Sequence, residues 1–160
     1  ILRRRDIPYI AINENKRPII EGRPIKNFDF IVYSKKSKYL IDIKGKFFPY
    51  KYKNRTPNYW ENWITNDDIE GLQLWQKIFG KNFKSIIVFP YLIKYRQDSD
   101  KFRNIYKFKN HLYGIVAIGL DIYLKNSKPR SKKWNAISVS RGKFKNLARP
   151  LSKFIPEISK

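Results

Sequence analysis

Three residues stand out by type and spacing: Asp29, Asp42 and Lys44. Each acid sits in a short apolar run, residues 27–34 (NFDFIVYS) and 39–46 (YLIDIKGK), with the β-branched and aromatic content of strands. Side chains alternate across a strand, so Asp42 and Lys44 share one face while Leu40, Ile41 and Ile43 supply apolar surroundings. Neighbouring strands lie about 4.8 Å apart, so pairing of the two runs brings the Asp29 carboxylate to that of Asp42. Two hard oxygen ligands beside an ammonium suit a divalent cation and an activated water.

The elements that must hold these residues can be read along the chain. Residues 8–13 (PYIAIN) read as a first strand, followed by a Pro- and Gly-containing connection over 14–26. The short polar link at 34–38 joins the two acid-bearing runs as an antiparallel hairpin. Residues 47–64 have no clear period and read as a long loop. Thr65 and Asp68 form a capping box with Asp in place of the usual Glu, and Asp67 adds negative charge to the first turn. Ile69, Leu72, Trp75 and Phe79 then repeat at helical spacing until Gly80, with Gln73 and Gln76 read as solvent-facing. Residues 85–93 (SIIVFPYLI) suit a strand buried on both faces, weakened in its second half by Pro90. Residues 95–110 read as a loop. Residues 112–124 and 134–139 read as two later strands around the basic turn NSKPRSKK, and Ser140 caps a last helix that Pro150 ends. The opening ILRRRDIP reads as the end of a helix whose start is absent.

A chain of 160 residues has the size of one ordinary domain, here 1–160, with a core over about 1–95 and an elaboration over about 96–160. With 42% hydrophobic and 16% aromatic residues it can bury a core despite its charge. Lys and Arg number 35 against 13 acids, a formal charge of +22, which makes a polyanion the natural partner. Nucleic acid comes before a membrane surface, because each neutralised phosphate releases condensed counterions. No apolar run approaches the roughly 20 residues of a membrane span and no segment has a signal-peptide layout, so a cytoplasmic location is expected. The absence of Cys excludes disulfides and thiolate zinc sites, and His111 alone cannot build a histidine cluster. Any metal is therefore oxygen-liganded, Mg²⁺ or Mn²⁺.

Basic residues recur in three places suited to phosphate. Lys46, Lys51, Lys53 and Arg55 interleave with Tyr50, Tyr52, Tyr59 and Trp60 just after the acids, where aromatics can also stack on bases. Lys128, Arg130, Lys132 and Lys133 cluster in the later basic turn, and Arg141 and Lys143 lie on the last helix.

The element order, a helix end, three strands, a helix and a strand, with acids on the second and third strands, resembles the PD-(D/E)XK nuclease superfamily. Asp29 in NFDFIVYS and Asp42-Ile43-Lys44 in YLIDIKGK carry the resemblance, and their spacing of 13 resembles that of archaeal Holliday junction resolvases. Phe28 stands where the motif's name has Pro, and the first helix, on which many members place a Glu, reads as cut off at the start of this sequence. The resemblance implies an α/β fold with a restriction-endonuclease-like αβββαβ core, a mixed central sheet flanked by helices, and additional C-terminal strands and a helix. It also implies a Mg²⁺-dependent deoxyribonuclease, an endonuclease rather than an exonuclease. Asp29, Asp42 and the main-chain carbonyl of Ile43 would hold the ion. Lys44 would orient the water or stabilise charge on the phosphorane, and Gln73 is the residue that some related nucleases would place near the metal. Cutting a junction or both strands would call for two sites and hence a homodimer. The rival readings are a non-catalytic basic nucleic-acid-binding protein and an RNA-processing or ribosome-associated domain.

Overall fold

The computed structural model describes all residues except 14, 21, 52, 54, 55 and 160. After a single 3-10 turn at Arg3–Arg5 comes strand β1 (Tyr9–Ala11). A small hairpin, β2 (Ile19–Ile20) and β3 (Arg23–Pro24), leads to the acid-bearing pair β4 (Phe30–Tyr33) and β5 (Lys38–Ile43). Strands β4 and β5 form the expected antiparallel hairpin, and β1 pairs antiparallel with β4 to make a meander.

The stretch read as a long loop over 47–64 is more structured than that. It contributes β6 (Lys46–Phe48), begins β7 (Ile64–Thr65) and carries a Tyr50–Asn58 bridge. Its aromatics obscure any period because they pack on one another: Phe48 is fully buried and lies edge-on to Tyr59, Trp60, Tyr91 and Phe102. Helix α1 (Asn66–Phe79) then starts with both halves of the Thr65–Asp68 capping box formed and stops at Gly80, whose φ of 74° a side chain would resist.

Strand β8 (Phe83–Ile93) runs unbroken through Pro90. Proline is tolerated there because β8 changes partner at that point: it is parallel to β5 as far as Val88 and to β6 from Tyr91. The region 95–110 is likewise more than a loop, holding a 3-10 turn (Arg96–Lys101) and β9 (Ile105–Phe108), which forms a hairpin with β10 (His111–Gly119).

The apolar run expected to continue as strand to Leu124 instead turns into α2 (Leu120–Asn126), for which Gly119 is the N-cap and Asp121 supplies a first-turn acid. The basic segment read as a turn is largely β11 (Ser127–Ser131), paired with β12 (Ala136–Val139), so the turn itself is shorter. Helix α3 (Arg141–Leu147) has Ser140 as its N-cap residue without a side-chain cap bond, and Pro150 falls after it in β13 (Arg149–Pro150).

The main sheet has the order β1-β4-β5-β8-β10-β13, with β6 added to β8 and β9 to β10. It is a mixed sheet in the expected α/β arrangement, with the β1-β4-β5 meander followed by α1 and the parallel strand β8. Alternation divides its side chains between two cores. Ile31, Leu40, Ile87 and Phe89 face α1, α2 and α3 through Ile69, Leu72, Tyr123 and Phe144. Val32, Ile41, Ile86 and Val88 face the opposite side, covered by Ile7 and by Leu151, Ile155 and Ile158 of the C-terminal turns. No helix among the described residues is long and apolar enough to cross a membrane.

Candidate active site

Asp29 immediately precedes β4 and Asp42 is the fifth residue of β5. The register that pairs Phe30 with Ile41 and Ile31 with Leu40 puts Asp29 opposite Asp42 when carried one residue further. Residues directly opposite share a face, here that of α1, with Cβ atoms about 4.5–5.5 Å apart. The edge of the hairpin is tied by two bonds: the Asp29 N–H donates to the Ile41 carbonyl at 2.9 Å, and the Ile43 N–H donates to Asp29 Oδ2. Lys44 N–H donates to the Val88 carbonyl at 2.9 Å, the last link of the β5–β8 pairing before the chain crosses Gly45 to β6. The acids thus lie at the carboxyl end of a parallel pair, where open α/β sheets present their crevices.

Asp42 is only 4% exposed. Lys44 Nζ lies 2.7 Å from Asp42 Oδ2 and 3.3 Å from Asp68 Oδ1, which brings the first turn of α1 into the cluster. Lys26 pairs with the same Asp68 oxygen. Its position is fixed through its backbone: the Lys26 carbonyl accepts the Trp75 indole N–H at 3.2 Å and rests against Gly71. Asp68 therefore both caps α1 and binds two lysines, a role that capping alone does not reveal.

The charges perturb one another. Burial pushes the Asp42 carboxyl up to about 6, with Lys44 opposing and Asp68 reinforcing the rise. Burial acts to lower the Lys44 ammonium, but the charge and hydrogen bond of Asp42, then Asp68 and Asp29, hold it above the ordinary lysine value. Burial would likewise raise Asp68, yet the hydrogen bond from Lys26, the Lys44 charge and the Thr65 hydroxyl keep it below the usual carboxylate range. Three carboxylates against two ammoniums leave a net negative centre.

No group of three His, Cys, Asp or Glu side chains among the described residues is placed to hold a metal ion. What the cluster offers is a facing carboxylate pair, Asp29 and Asp42, on adjacent strands. Such a donor set fits Mg²⁺, which is commonly held by one or two carboxylates with water and substrate phosphate completing its shell.

A further buried acid flanks this centre. Glu61, 4% exposed, lies in the stretch read as loop, where its only sequence signal was an acid amid aromatics in YWENWI. Its carbonyl accepts the Tyr91 hydroxyl at 2.8 Å and the next carbonyl, of Asn62, accepts the Tyr123 hydroxyl at 2.6 Å. Arg130 Nη2 is 3.0 Å from Glu61 Oε2 and Arg141 Nη2 is 3.8 Å from Glu61 Oε1. Lys46 joins the two centres: its Nζ sits 3.6 Å from the centroid of the Trp63 ring, and burial lowers its ammonium to about 8, with Glu61 opposing and Lys44 adding to the fall.

The remaining candidates are more dispersed. Gln73 is exposed on α1 and is not brought to the cluster. Gln76, expected to face solvent, instead ties α1 to β8, donating to the Gly80 and Phe83 carbonyls and accepting the Ser85 N–H at 2.6 Å. Lys51, Lys53, Lys128, Lys132, Lys133 and Lys143 are exposed, while Tyr52 and Arg55 lie outside the described residues.

No family model and no curated protein matches the sequence. Among solved structures, the chain is similar to Archaeoglobus fulgidus Hjc, a Holliday junction resolvase from an archaeal hyperthermophile. The TM-score is 0.49 and the identity 10%, over 96% of this chain and 89% of that one. A likeness that distant says nothing about chemistry, which rests on the residues themselves.

Proposed function

We propose that this protein is a metal-dependent nuclease that hydrolyses phosphodiester bonds in DNA, cutting within strands. The observation that carries the proposal is Asp42: a carboxylate placed in an apolar strand, 4% exposed, facing Asp29 and contacted by Lys44. An acid so placed costs folding free energy, and a catalytic use explains its retention. Asp29, Asp42 and the Ile43 carbonyl would hold Mg²⁺ or Mn²⁺, which when bound lowers the pKa of a coordinated water and polarises the phosphate. Lys44 exchanges its contact with Asp42 for the attacking water or a phosphate oxygen, an ammonium already fixed where negative charge builds. Asp68 keeps that ammonium in place from its other side, and Lys26 balances Asp68. The charge of +22 supplies attraction for the polyanionic substrate.

A second reading is favoured by one contact. Lys44 already bridges Asp42 and Asp68, as a purely structural ion network would, which leaves a non-catalytic nucleic-acid-binding protein. Incubating the protein with a panel of duplex, junction, flap and single-stranded DNA and RNA separates the two. Cutting that requires Mg²⁺ or Mn²⁺ and stops with chelator supports the nuclease; salt-sensitive binding with no product on any substrate supports the rival.

A further inference from the structure

We propose that Glu61 organises Arg130 and Arg141 into a binding site for a backbone phosphate of nucleic acid, beside the acid cluster; this rests on the reading of the chain as acting on nucleic acid. Each arginine is delivered by a specific backbone device. Arg130 is the extra residue of a bulge in β11, since Pro129 pairs with Ile137 while Ser131 pairs with Ala136, and bulges re-aim side chains. Arg141 opens α3 two residues after Val139, which Asn62 grips through both main-chain groups: Val139 N–H donates to Asn62 Oδ1 at 2.8 Å and Asn62 Nδ2 donates to the Val139 carbonyl at 3.0 Å. Trp60, just before Glu61, holds a left-handed φ of 58°, uncommon for a bulky residue.

The carboxylate so positioned is incompletely used. Among the described residues the buried Glu61 Oε1 has no hydrogen-bond partner, since Arg141 stands off at 3.8 Å. The arginine side chains are 39% and 53% exposed, so their outer donors reach solvent. Glu61 balances one of the two arginine charges beside it, and the half-exposed positive charge that remains favours an anion. Arginine forks match phosphate oxygens in geometry as well as charge. Lys46, which interacts with Glu61 and Arg130 as well as with Lys44 and Asp68, places this site next to the proposed scissile position. The phosphate bound would therefore be a neighbour of the one cut.

The test is fluorescence anisotropy of labelled duplex DNA with the whole protein, in chelator, across 50–200 mM KCl. Arg130→Ala and Arg141→Ala should each weaken binding and reduce the slope of log K against log salt by about one. Arg130→Lys and Arg141→Lys should keep the slope while losing affinity, since an ammonium keeps the charge but not the fork. In a Glu61→Gln background, the affinity loss from Arg130→Ala should shrink, because the arginine is no longer held. Unchanged slopes in both alanine variants would overturn the phosphate site, and strict additivity of Glu61→Gln with Arg130→Ala would overturn the positioning role. Binding in chelator is independent of cutting, so either result leaves the nuclease reading to be judged on the cleavage panel alone.

Discussion

Replacing Asp42 with Asn should make the metal-free protein more stable at pH 8 and leave it nearly unchanged near pH 4. The carboxyl titrates at about 6 in the fold against 3.8 for an ordinary aspartate. Between those values the folded protein binds more protons than the unfolded chain, so this group's contribution is fully present below the lower value and is lost as pH rises through the upper one. A rise of about two units is worth about 3 kcal/mol at about 1.4 kcal/mol per unit. For a chain of this size that is a Tm difference of about 6–12 °C. Asp68 carries the opposite sign, its lowered carboxyl supporting the fold above the ordinary aspartate range, so only the difference between wild type and Asp42→Asn isolates Asp42. Thermal denaturation of both proteins from pH 4 to 8 in chelator measures it. Mg²⁺ should then raise the wild-type Tm at pH 8 more than that of the variant. A variant less stable than wild type at pH 8 would show that the Asp42–Lys44 pair holds the fold together, and would refute the idea of an acid kept at the expense of stability.

Lys44→Met removes the ammonium between Asp42 and Asp68 and should cost about 3–5 kcal/mol at pH 8. The cost should fall by pH 5, where Asp42 takes up a proton; urea titration at both values reads this. Gly71→Ala should destabilise, although alanine favours a helix by about 1 kcal/mol. A Cβ there would come 2.5 Å from the Lys26 carbonyl oxygen, so α1 or Lys26 must move and the Lys26–Asp68 pair with them. A stability gain in urea would contradict that packing. Asn62→Ala should cost about 3 kcal/mol, since it strips partners from the Val139 main chain and the Trp60 carbonyl. The same substitution should reduce DNA binding by loosening Arg141, and wild-type affinity in a folded variant would argue against that coupling.

The acid pair was legible because it depends on local rules. Alternation fixed the shared face of Asp42 and Lys44, and the short polar link fixed an antiparallel hairpin that sets Asp29 opposite Asp42. The start of α1 was legible for the same reason, its capping box spanning Thr65 to Asp68. The second role of Asp68 was not, because it depends on Lys26 and Lys44 arriving from separate segments, one ahead of β4 and the other just past β5. Glu61 was hidden further: its burial comes from tyrosines on β8 and α2 that hold its loop, and Arg130 reaches it only through a bulge. The change from β10 to α2 inside GIVAIGLDIYL also escaped notice, since an apolar run carries no period to separate strand from helix. Only Gly119 followed by Asp121 marked the boundary.

The central proposal is that Asp29, Asp42 and Lys44 hydrolyse phosphodiesters with a divalent ion. Single-turnover cleavage of whichever DNA in the panel the protein binds, in Mg²⁺ and at protein concentrations that saturate binding, tests it most directly. Wild type should cut, while Asp42→Ala and Lys44→Ala should bind the same DNA and lose cutting by at least about 10²-fold, the scale on which a single catalytic group acts. Cutting at the wild-type rate by both variants would contradict the proposal.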